Sequence, residues 1–485
     1  MTLSTPHYLA NMTIWDAGAF YYASEWIIRL VMLVYVPQQR PAAATRTWLL
    51  FIFLMPWPGV LVYALIGRIR VSQGQREKLA RASRAIRQAE VVSRTGGSVI
   101  GEVPVAYASA SSLAFATGDF LPFVGNRIAL VDHYDGWITR LIADIDGAET
   151  RVHLLFYIFA DDATGRRVAD ALSRAAARGV ACRVLIDAVA GKSAFKRLVP
   201  TLHAAGVDAH AMQRAGLFRR NAARLDLRNH RKIAIIDGNV GHTGSQNVVN
   251  ATFVPNYPNE EVMARVTGPI VGQLEAVFFT DWFIETNQRL DTRNLIPAVD
   301  PSASSMAQLL PSGPGYQLEN ARDVFIALLY AAQKRVVITT PYFVPDEPFL
   351  QALRAAAMRG VSVHLVVSKH ANQPLTQFAQ RSYYQDILSV GVCVHLYRPR
   401  FLHAKHLTID DQVAVIGTAN IDIRSFALNA EVSLLVYDPV VVADLARIQQ
   451  RYFKDSDLLD EAEWNRRPLV AKVAQNIARL ADSLL

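Results

Sequence analysis

His230-Arg231-Lys232-Ile233-Ala234-Ile235-Ile236-Asp237, with Gly244-Ser245-Gln246-Asn247 beginning seven residues past the Asp, decides the reading of this chain because the pattern occurs twice. The second copy is His403-Ala404-Lys405-His406-Leu407-Thr408-Ile409-Asp410, and Gly417-Thr418-Ala419-Asn420 follows at the same interval. A lone His-x-Lys-x4-Asp arises by chance in about one chain in a hundred at this composition, so one copy carries little weight. Two copies with matching trailers carry a great deal.

The runs Ile233–Ile236 and Leu407–Ile409 are short, apolar and closed by an Asp turn, which places each His and Lys at the start of a buried strand. Residues two apart on a strand face one side, so His230 projects with Lys232 and His403 with Lys405. An imidazole beside an ammonium, with an Asn amide brought up by the next turn, makes a site for a phosphate group. Two such half-sites suit a phosphodiester. Single histidines at strand starts are more often structural, and His242, His370 and His406 stay in that class.

The paired motifs resemble those of the phospholipase D superfamily and, within it, the bacterial cardiolipin synthase family. The likeness also rests on Thr340-Pro341-Tyr342-Phe343-Val344-Pro345-Asp346, Asn420-Ile421-Asp422-Ile423-Arg424-Ser425-Phe426 and Asn429-Ala430-Glu431, and it covers essentially the whole chain. It implies an α/β fold of two homologous phospholipase D-like α-β-α sandwich halves related by pseudo-twofold symmetry, preceded by an N-terminal transmembrane helical hairpin. It also implies ping-pong phosphatidyl transfer without a metal or other cofactor, joining two phosphatidylglycerols into cardiolipin with release of glycerol. In that scheme His230 is the nucleophile that becomes a phosphohistidine, and His403 is the acid and then the base. Lys232 and Lys405 hold the non-bridging oxygens; Asn247, Asn420, Ser245 and Thr418 add neutral phosphate contacts; Asp237 and Asp410 are positioning residues.

Each imidazole needs an acceptor, and the resemblance supplies Glu261 and Glu431, with Glu260 an adjacent competitor for the first. Asn372-Gln373-Pro374 departs from relatives that often carry Asp after the Asn, which leaves the acceptor headgroup open. A hydrolytic phospholipase D would use the same residues. A nuclease of the superfamily and a catalytically dead membrane scaffold are the alternatives from other classes.

With 485 residues, 51% of them hydrophobic, the chain can bury more than one core. The formal charge of +8 favours an acidic partner. The charge alone does not choose between anionic lipid and nucleic acid; the resemblance implies anionic phospholipids in a bilayer, phosphatidylglycerol and cardiolipin among them, and no nucleic acid. Cys182 and Cys393 stand apart in apolar runs, so neither a disulfide framework nor a zinc site is expected.

Two apolar stretches open the chain. The second, Trp48 to Ile66, is free of charge and about as long as a bilayer requires, with Pro56 and Pro58 as expected kinks. The first, about residues 17–36, carries Glu25 and Arg29, which either pair one helical turn apart or lie near an interface. Together they read as a membrane hairpin over residues 1–68. Arg40 and Arg46 lie in the connecting loop, whereas Arg68, Arg70, Arg76, Lys78, Arg81, Arg84, Arg87 and Arg94 crowd the exit of the second helix. The positive-inside rule then puts everything after Gly67 on the cytoplasmic side of a bacterial inner membrane.

Residues 69–120 read as a basic linker, loosely packed from Ser93 to Gly118. The first half is expected over 121–295, with a helix over Ala129–Ile145 and strands over Arg151–Phe159 and Val180–Asp187. The second is expected over 305–456, past a Pro- and Ser-rich boundary from Arg293 to Pro314. Tyr157 to Asp161 aligns with Tyr342 to Asp346, and Arg178-Gly179-Val180 with Arg359-Gly360-Val361, as internal duplication would produce. An amphipathic helix over 457–485, with Leu469, Val473, Ile477, Leu480 and Leu484 at helical spacing, either packs on the catalytic domain or lies on a membrane surface.

Overall fold

Each motif folds as the first arm of a β-hairpin. Lys232–Ile236 turns through Asp237 and Gly238 and returns as Val240–Gly244; His406–Ile409 turns through Asp410 and Asp411 and returns as Val413–Gly417. Both central residues of each turn have positive φ, 54° and 70° in the first and 52° and 56° in the second. That geometry matches the right-handed twist of the flanking strands, and Asp and Gly tolerate it best.

A computed structural model describes residues 7–40, 42–67, 73–95, 99–213, 227–253, 256–290, 300, 302–317 and 319–480. The chain divides into a small unit, Met1–Arg70, and a large one that holds Val71–Ala223 and Leu227–Leu485.

One mixed sheet runs through the large unit. From one edge its order is Ser456–Leu458, Cys393–Tyr397, Ser362–Ser368, Arg335–Thr339, His406–Ile409, Val413–Gly417, Asn429–Val436, Ser305–Ser312, Phe123–Val131, Met263–Thr267, Val240–Gly244, Lys232–Ile236, Arg151–Phe156, Ala181–Asp187 and Asp208–Met212. The chain is thus a mixed α/β fold built on a large sheet. Ser305–Ser312 lies at the middle, between Asn429–Val436 and Phe123–Val131. The span expected to separate two halves therefore contains the middle strand of one continuous sheet, and its residues 293–299 and 301 fall outside the described ones. Helices cover both faces. Pro269–Thr286 is buried along most of its length, with Leu274, Phe278 and Trp282 in the core between sheet and helix.

Several boundaries differ from those expected. Residues 129–131 belong to a strand, and the helix starts at Tyr134 under a cap in which the His133 ring accepts from the Gly136 N–H. The stretch read as a linker holds two helices. Gln73–Thr95 packs on Pro269–Thr286, with Lys78 donating to the Ile284 carbonyl at 2.8 Å. Ala108–Gly118 buries Ala110 and Ala114. Arg68 and Arg70 lie outside the described residues.

The internal alignment slips by one residue. Asp162, not Asp161, caps helix Ala163–Ala177, as Asp346 caps Glu347–Met358. Val152 pairs with Ile236 where Val336 pairs with Ile409, and Phe159 bridges Val248 where Phe343 pairs with Ile421. Ile158, rather than Tyr157, therefore matches Tyr342. The shared Tyr and Asp letters mask a register that capping and pairing fix.

The C-terminal helix Leu469–Arg479 packs on Pro374–Leu388 through Gln475 and Ala478, and it leaves Leu469, Val470, Val473 and Ile477 facing out. Leu484 lies outside the described residues. Both cysteines are free thiols, Cys182 buried and Cys393 half-buried.

The small unit consists of α1 (His7–Tyr35), α2 (Ala42–Leu54) and α3 (Pro56–Ile66). Within α1 and the turn after it, Gly18–Gln38 is the one segment among the described residues long and apolar enough to cross a membrane, with mean hydropathy 1.3. Trp48–Ile66 is not one helix, contrary to the sequence expectation. It breaks at Met55 (φ −137°, ψ 77°), because Pro56 drives the residue before it out of helical geometry and Pro56 and Pro58 donate no backbone hydrogen bond. Glu25 and Arg29 do pair one turn apart, at 3.3 Å.

Candidate functional site

The site forms where the two motif strands enter the sheet. Just before its motif, Arg228–Asn229 runs parallel to Asn429–Ala430 at the start of Asn429–Val436, and the His230 N–H donates to the Ala430 carbonyl at 2.8 Å. Phe401–Leu402 runs parallel to Asn259–Glu260, and the His403 N–H donates to the Glu260 carbonyl at 2.9 Å. Each histidine backbone is thus pinned to a segment distant in sequence, next to the glutamate that its ring meets.

The side chains repeat this exchange. His230 Nδ1 lies 3.0 and 2.9 Å from the two oxygens of Glu431, and His403 Nδ1 lies 2.7 Å from Glu261 Oε1. Asn429 Nδ2 supports Glu431 at 3.4 Å and Asn259 Nδ2 supports Glu261 at 3.2 Å. Thr418 Oγ1 donates to Glu431 Oε2 at 2.5 Å. Glu260 faces Arg400 instead, at 3.6 Å, which resolves the competition in favour of Glu261. A signal in the sequence could have done so: Asn stands two residues before the ring-binding Glu in both copies, Asn259-Glu260-Glu261 and Asn429-Ala430-Glu431.

Lys232 and Lys405 are buried, and each ammonium donates to the carbonyl of its own histidine, Lys232 at 2.5 Å. Neither forms an ion pair within 4.0 Å among the described residues. Burying an ammonium is costly, and the nearby Glu261 and Glu431 offset that cost only in part, so an anion entering the pocket stabilises both charges. Burial pushes Lys405 down to about 8; burial and then Lys405 hold Lys232 well below the ordinary lysine value. Burial, followed by Lys232, Lys405 and His403, holds His230 well below the usual imidazole range. Burial also lowers His403, opposed there by Glu261. On its own, burial would raise the Glu261 carboxyl, but His403 and Lys405 together keep it below the ordinary range.

Asn247 Oδ1 accepts from the Ile158 N–H at 3.1 Å, which leaves its amide nitrogen as the end free for a ligand. Asn420 holds its backbone N–H on Ser425 Oγ, and its buried amide oxygen has no protein partner. Ser245 and Thr418 play related structural parts: their hydroxyls accept the N–H groups of Val262 and Val432, while Ser245 gives its proton to the Val262 carbonyl and Thr418 gives its own to Glu431.

The two Asp residues stand at the far strand ends. Asp237 accepts the N–H groups of Glu149, Thr150 and Arg151, and Asp410 those of Gln333, Lys334 and Arg335 together with the Tyr107 hydroxyl. Asp410→Ala strips four donors of their acceptor and should lower unfolding stability by about 2–4 kcal/mol, read as a shift in urea midpoint. Burial would raise the Asp410 carboxyl, but those donors together hold it below the ordinary value. Its contribution is complete above the unfolded-chain pKa and fades as pH falls through the folded one.

Sequence reasoning missed Tyr157, whose ring meets His230 edge-on at 4.9 Å and lies under Lys232 Nζ at 5.5 Å. Tyr342 donates to Asn372 Oδ1 at 2.8 Å, so the loop singled out in the sequence is tied to the strand end beside the site. His242 pairs with Asp144 at 2.9 Å inside the core.

The chain matches the family model described as "Cardiolipin synthase, PLD-like domain" over residues 141–282 and 325–455. Proteins named cardiolipin synthase A from Yersinia pestis and from Pectobacterium carotovorum subsp. carotovorum (strain PC1) are 30% identical to it; each alignment spans 96% of this chain and 99% or 100% of the relative. Among solved structures, phosphatidylserine synthase of Haemophilus influenzae Rd KW20 shares the fold, with a TM-score of 0.59 at 16% identity over 78% of this chain and all of that one.

Proposed function

The chain belongs to the cardiolipin synthase family of phospholipase D-like proteins, and from that premise we propose that it is a phosphatidyltransferase joining two phosphatidylglycerol molecules into cardiolipin and releasing glycerol. The exchanged His–Glu pairs carry this reading. Each carboxylate holds Nδ1 of a ring contributed by the other half, so Nε2 of each imidazole is the nitrogen left for phosphorus chemistry.

His230, held strongly toward the neutral form, attacks the phosphorus of the first phosphatidylglycerol. A bond forms from Nε2 to phosphorus, the bond to the glycerol oxygen breaks, and His403 gives that oxygen its proton. Burial lowers His403 and Glu261 opposes that shift, and the Glu261 carboxylate stabilises the imidazolium that forms when His403 takes up a proton. A hydroxyl of the second phosphatidylglycerol then gives its proton to His403 and displaces His230. Lys232, Lys405, Asn247 and Asn420 hold the non-bridging oxygens, and Asp237 and Asp410 fix the strands.

The matching strand orders support two homologous halves, 121–295 and 305–456, related by a pseudo-twofold axis through the pocket. The enzyme works in the bacterial cytoplasmic membrane with its catalytic unit on the cytoplasmic side, where donor and acceptor are both lipids.

Purified full-length protein given labelled phosphatidylglycerol in vesicles should yield cardiolipin and glycerol in equal amounts. Phosphatidic acid as the sole lipid product would instead make it a hydrolase.

The lysines set the pH dependence. Below about pH 8 Lys405 is charged in the free protein; above it the charge is lost, so kcat/KM for phosphatidylglycerol should fall about tenfold per pH unit. A flat profile from pH 7 to 10 would remove Lys405 from phosphate binding.

A further inference from the structure

The N-terminal unit does not have the geometry of two membrane spans. Residues 48 and 63 would lie about 22 Å apart on a straight helix. Instead the Trp48 and Tyr63 rings meet edge-on at 5.1 Å, so α3 folds back along α2. Gly59 permits this: a Cβ there would come within 2.8 Å of the Ile52 Cα. The folded pair packs on α1 through Met32, Val36, Trp48, Ile52 and Tyr63.

Length and polarity agree. At 13 and 11 residues, α2 and α3 are about 20 and 16 Å long, well short of the ~30 Å hydrocarbon core. A break inside a bilayer exposes carbonyls that water cannot reach, and these must be satisfied within the protein. Arg29 does so: its Nε donates to the Phe53 carbonyl at 3.2 Å beside the break while its Nη2 holds Glu25 at 3.3 Å. The charged pair within the apolar stretch of α1 thus serves the tip of the fold-back. Around it Leu50, Leu54, Met55, Trp57 and Leu61 face outward.

Charge then fixes which leaflet is entered. None of residues 1–28 is Lys or Arg, whereas Arg40, Arg46, Arg68, Arg70 and Arg76 lie in sequence near the two ends of the α2–α3 segment. Two spans keep the larger basic cluster past Gly67 inside but place Arg40 and Arg46 outside. One span puts every one of these charges on the cytoplasmic face.

We propose that α1 alone crosses the bilayer, with its N-terminal end outside, and that α2–α3 is a re-entrant hairpin that inserts among the acyl chains of the cytoplasmic leaflet and returns to the face it entered from. The geometry of the small unit and its charges carry this inference, which does not depend on the reaction.

The test is cysteine labelling of the full-length protein in intact spheroplasts with a membrane-impermeant maleimide, in a Cys182→Ser, Cys393→Ser background that retains lipid turnover. Ser4→Cys should label from outside. Gln39→Cys and Ala85→Cys, both at exposed positions, should label only after permeabilisation, and Trp57→Cys should resist the reagent in both states. Labelling of Gln39→Cys from outside with Ser4→Cys protected would establish two spans and overturn the proposal, as would Trp57→Cys reacting from outside. Protection of both Ser4→Cys and Gln39→Cys in intact cells would mean that α1 does not cross, and would overturn it equally.

Discussion

His230→Ala reduces phosphatidyl transfer to background, and His403→Ala lowers kcat by about 10²–10⁴-fold, the usual loss when a positioned general acid is removed. The two losses differ in kind. Without His230 no phosphohistidine can form, whereas without His403 the covalent step survives but the glycerol oxygen departs without a proton. Substrates with a more acidic leaving alcohol should therefore rescue the first half-reaction in His403→Ala and leave His230→Ala inactive. Both variants should stay folded, with an unfolding free energy from urea titration within a few kcal/mol of the parent's, since each loses one ring and its contact with a glutamate. Near-normal turnover in either variant, measured as labelled cardiolipin formed, would remove that histidine from the mechanism.

Glu431→Gln and Glu261→Gln should each lower kcat by roughly 10²–10⁴-fold while changing KM little. A carboxamide fills the same space but can present an N–H to the imidazole, selecting the wrong tautomer; the equivalent change in the serine-protease triad costs ~10⁴. The exchange of partners adds a sharper expectation. Glu431→Gln, at a residue of the second half, should impair formation of the covalent intermediate on His230, a residue of the first. Glu261→Gln should impair protonation of the leaving group through His403, and the acidic-alcohol substrate should relieve that defect and not the other. Quench-flow separation of the two half-reactions distinguishes these outcomes; identical defects in both variants would show that the pairing does not divide the chemistry.

The motifs were legible because their chemistry demands fixed residue types at strand spacing, and Lys232 and Lys405 fall two residues past their histidines for that reason. The pairing of each histidine with the other half's glutamate was not legible, because it depends on Arg228–Asn229 and Phe401–Leu402 each adding to a segment distant in sequence. Tyr157 was hidden by its match in letter to Tyr342, a residue one place out of register. In the N-terminal unit, averaged hydropathy treats Trp48–Ile66 as continuous. What ends the helix is local: Pro56 and Pro58 around Met55, with a glycine at 59 where the returning helix must pass close. The stripe on Leu469–Arg479 followed helical periodicity as expected, yet Gln475 and Ala478 face the protein, since the neighbouring helix offers Asp386 to Arg479 at 3.0 Å and Arg467 reaches Gln475 at 3.0 Å.

The central claim is that one phosphorus passes between His230 and a lipid hydroxyl under the control of His403. Brief exposure of the full-length protein to phosphatidylglycerol labelled at phosphorus, acid-free quenching and peptide mapping tests it most directly. The predicted result is a base-stable, acid-labile phosphatidyl group on the peptide bearing His230, chased into cardiolipin by unlabelled phosphatidylglycerol. Label on the His403 peptide, or cardiolipin formed with no covalent label on either histidine, would contradict it.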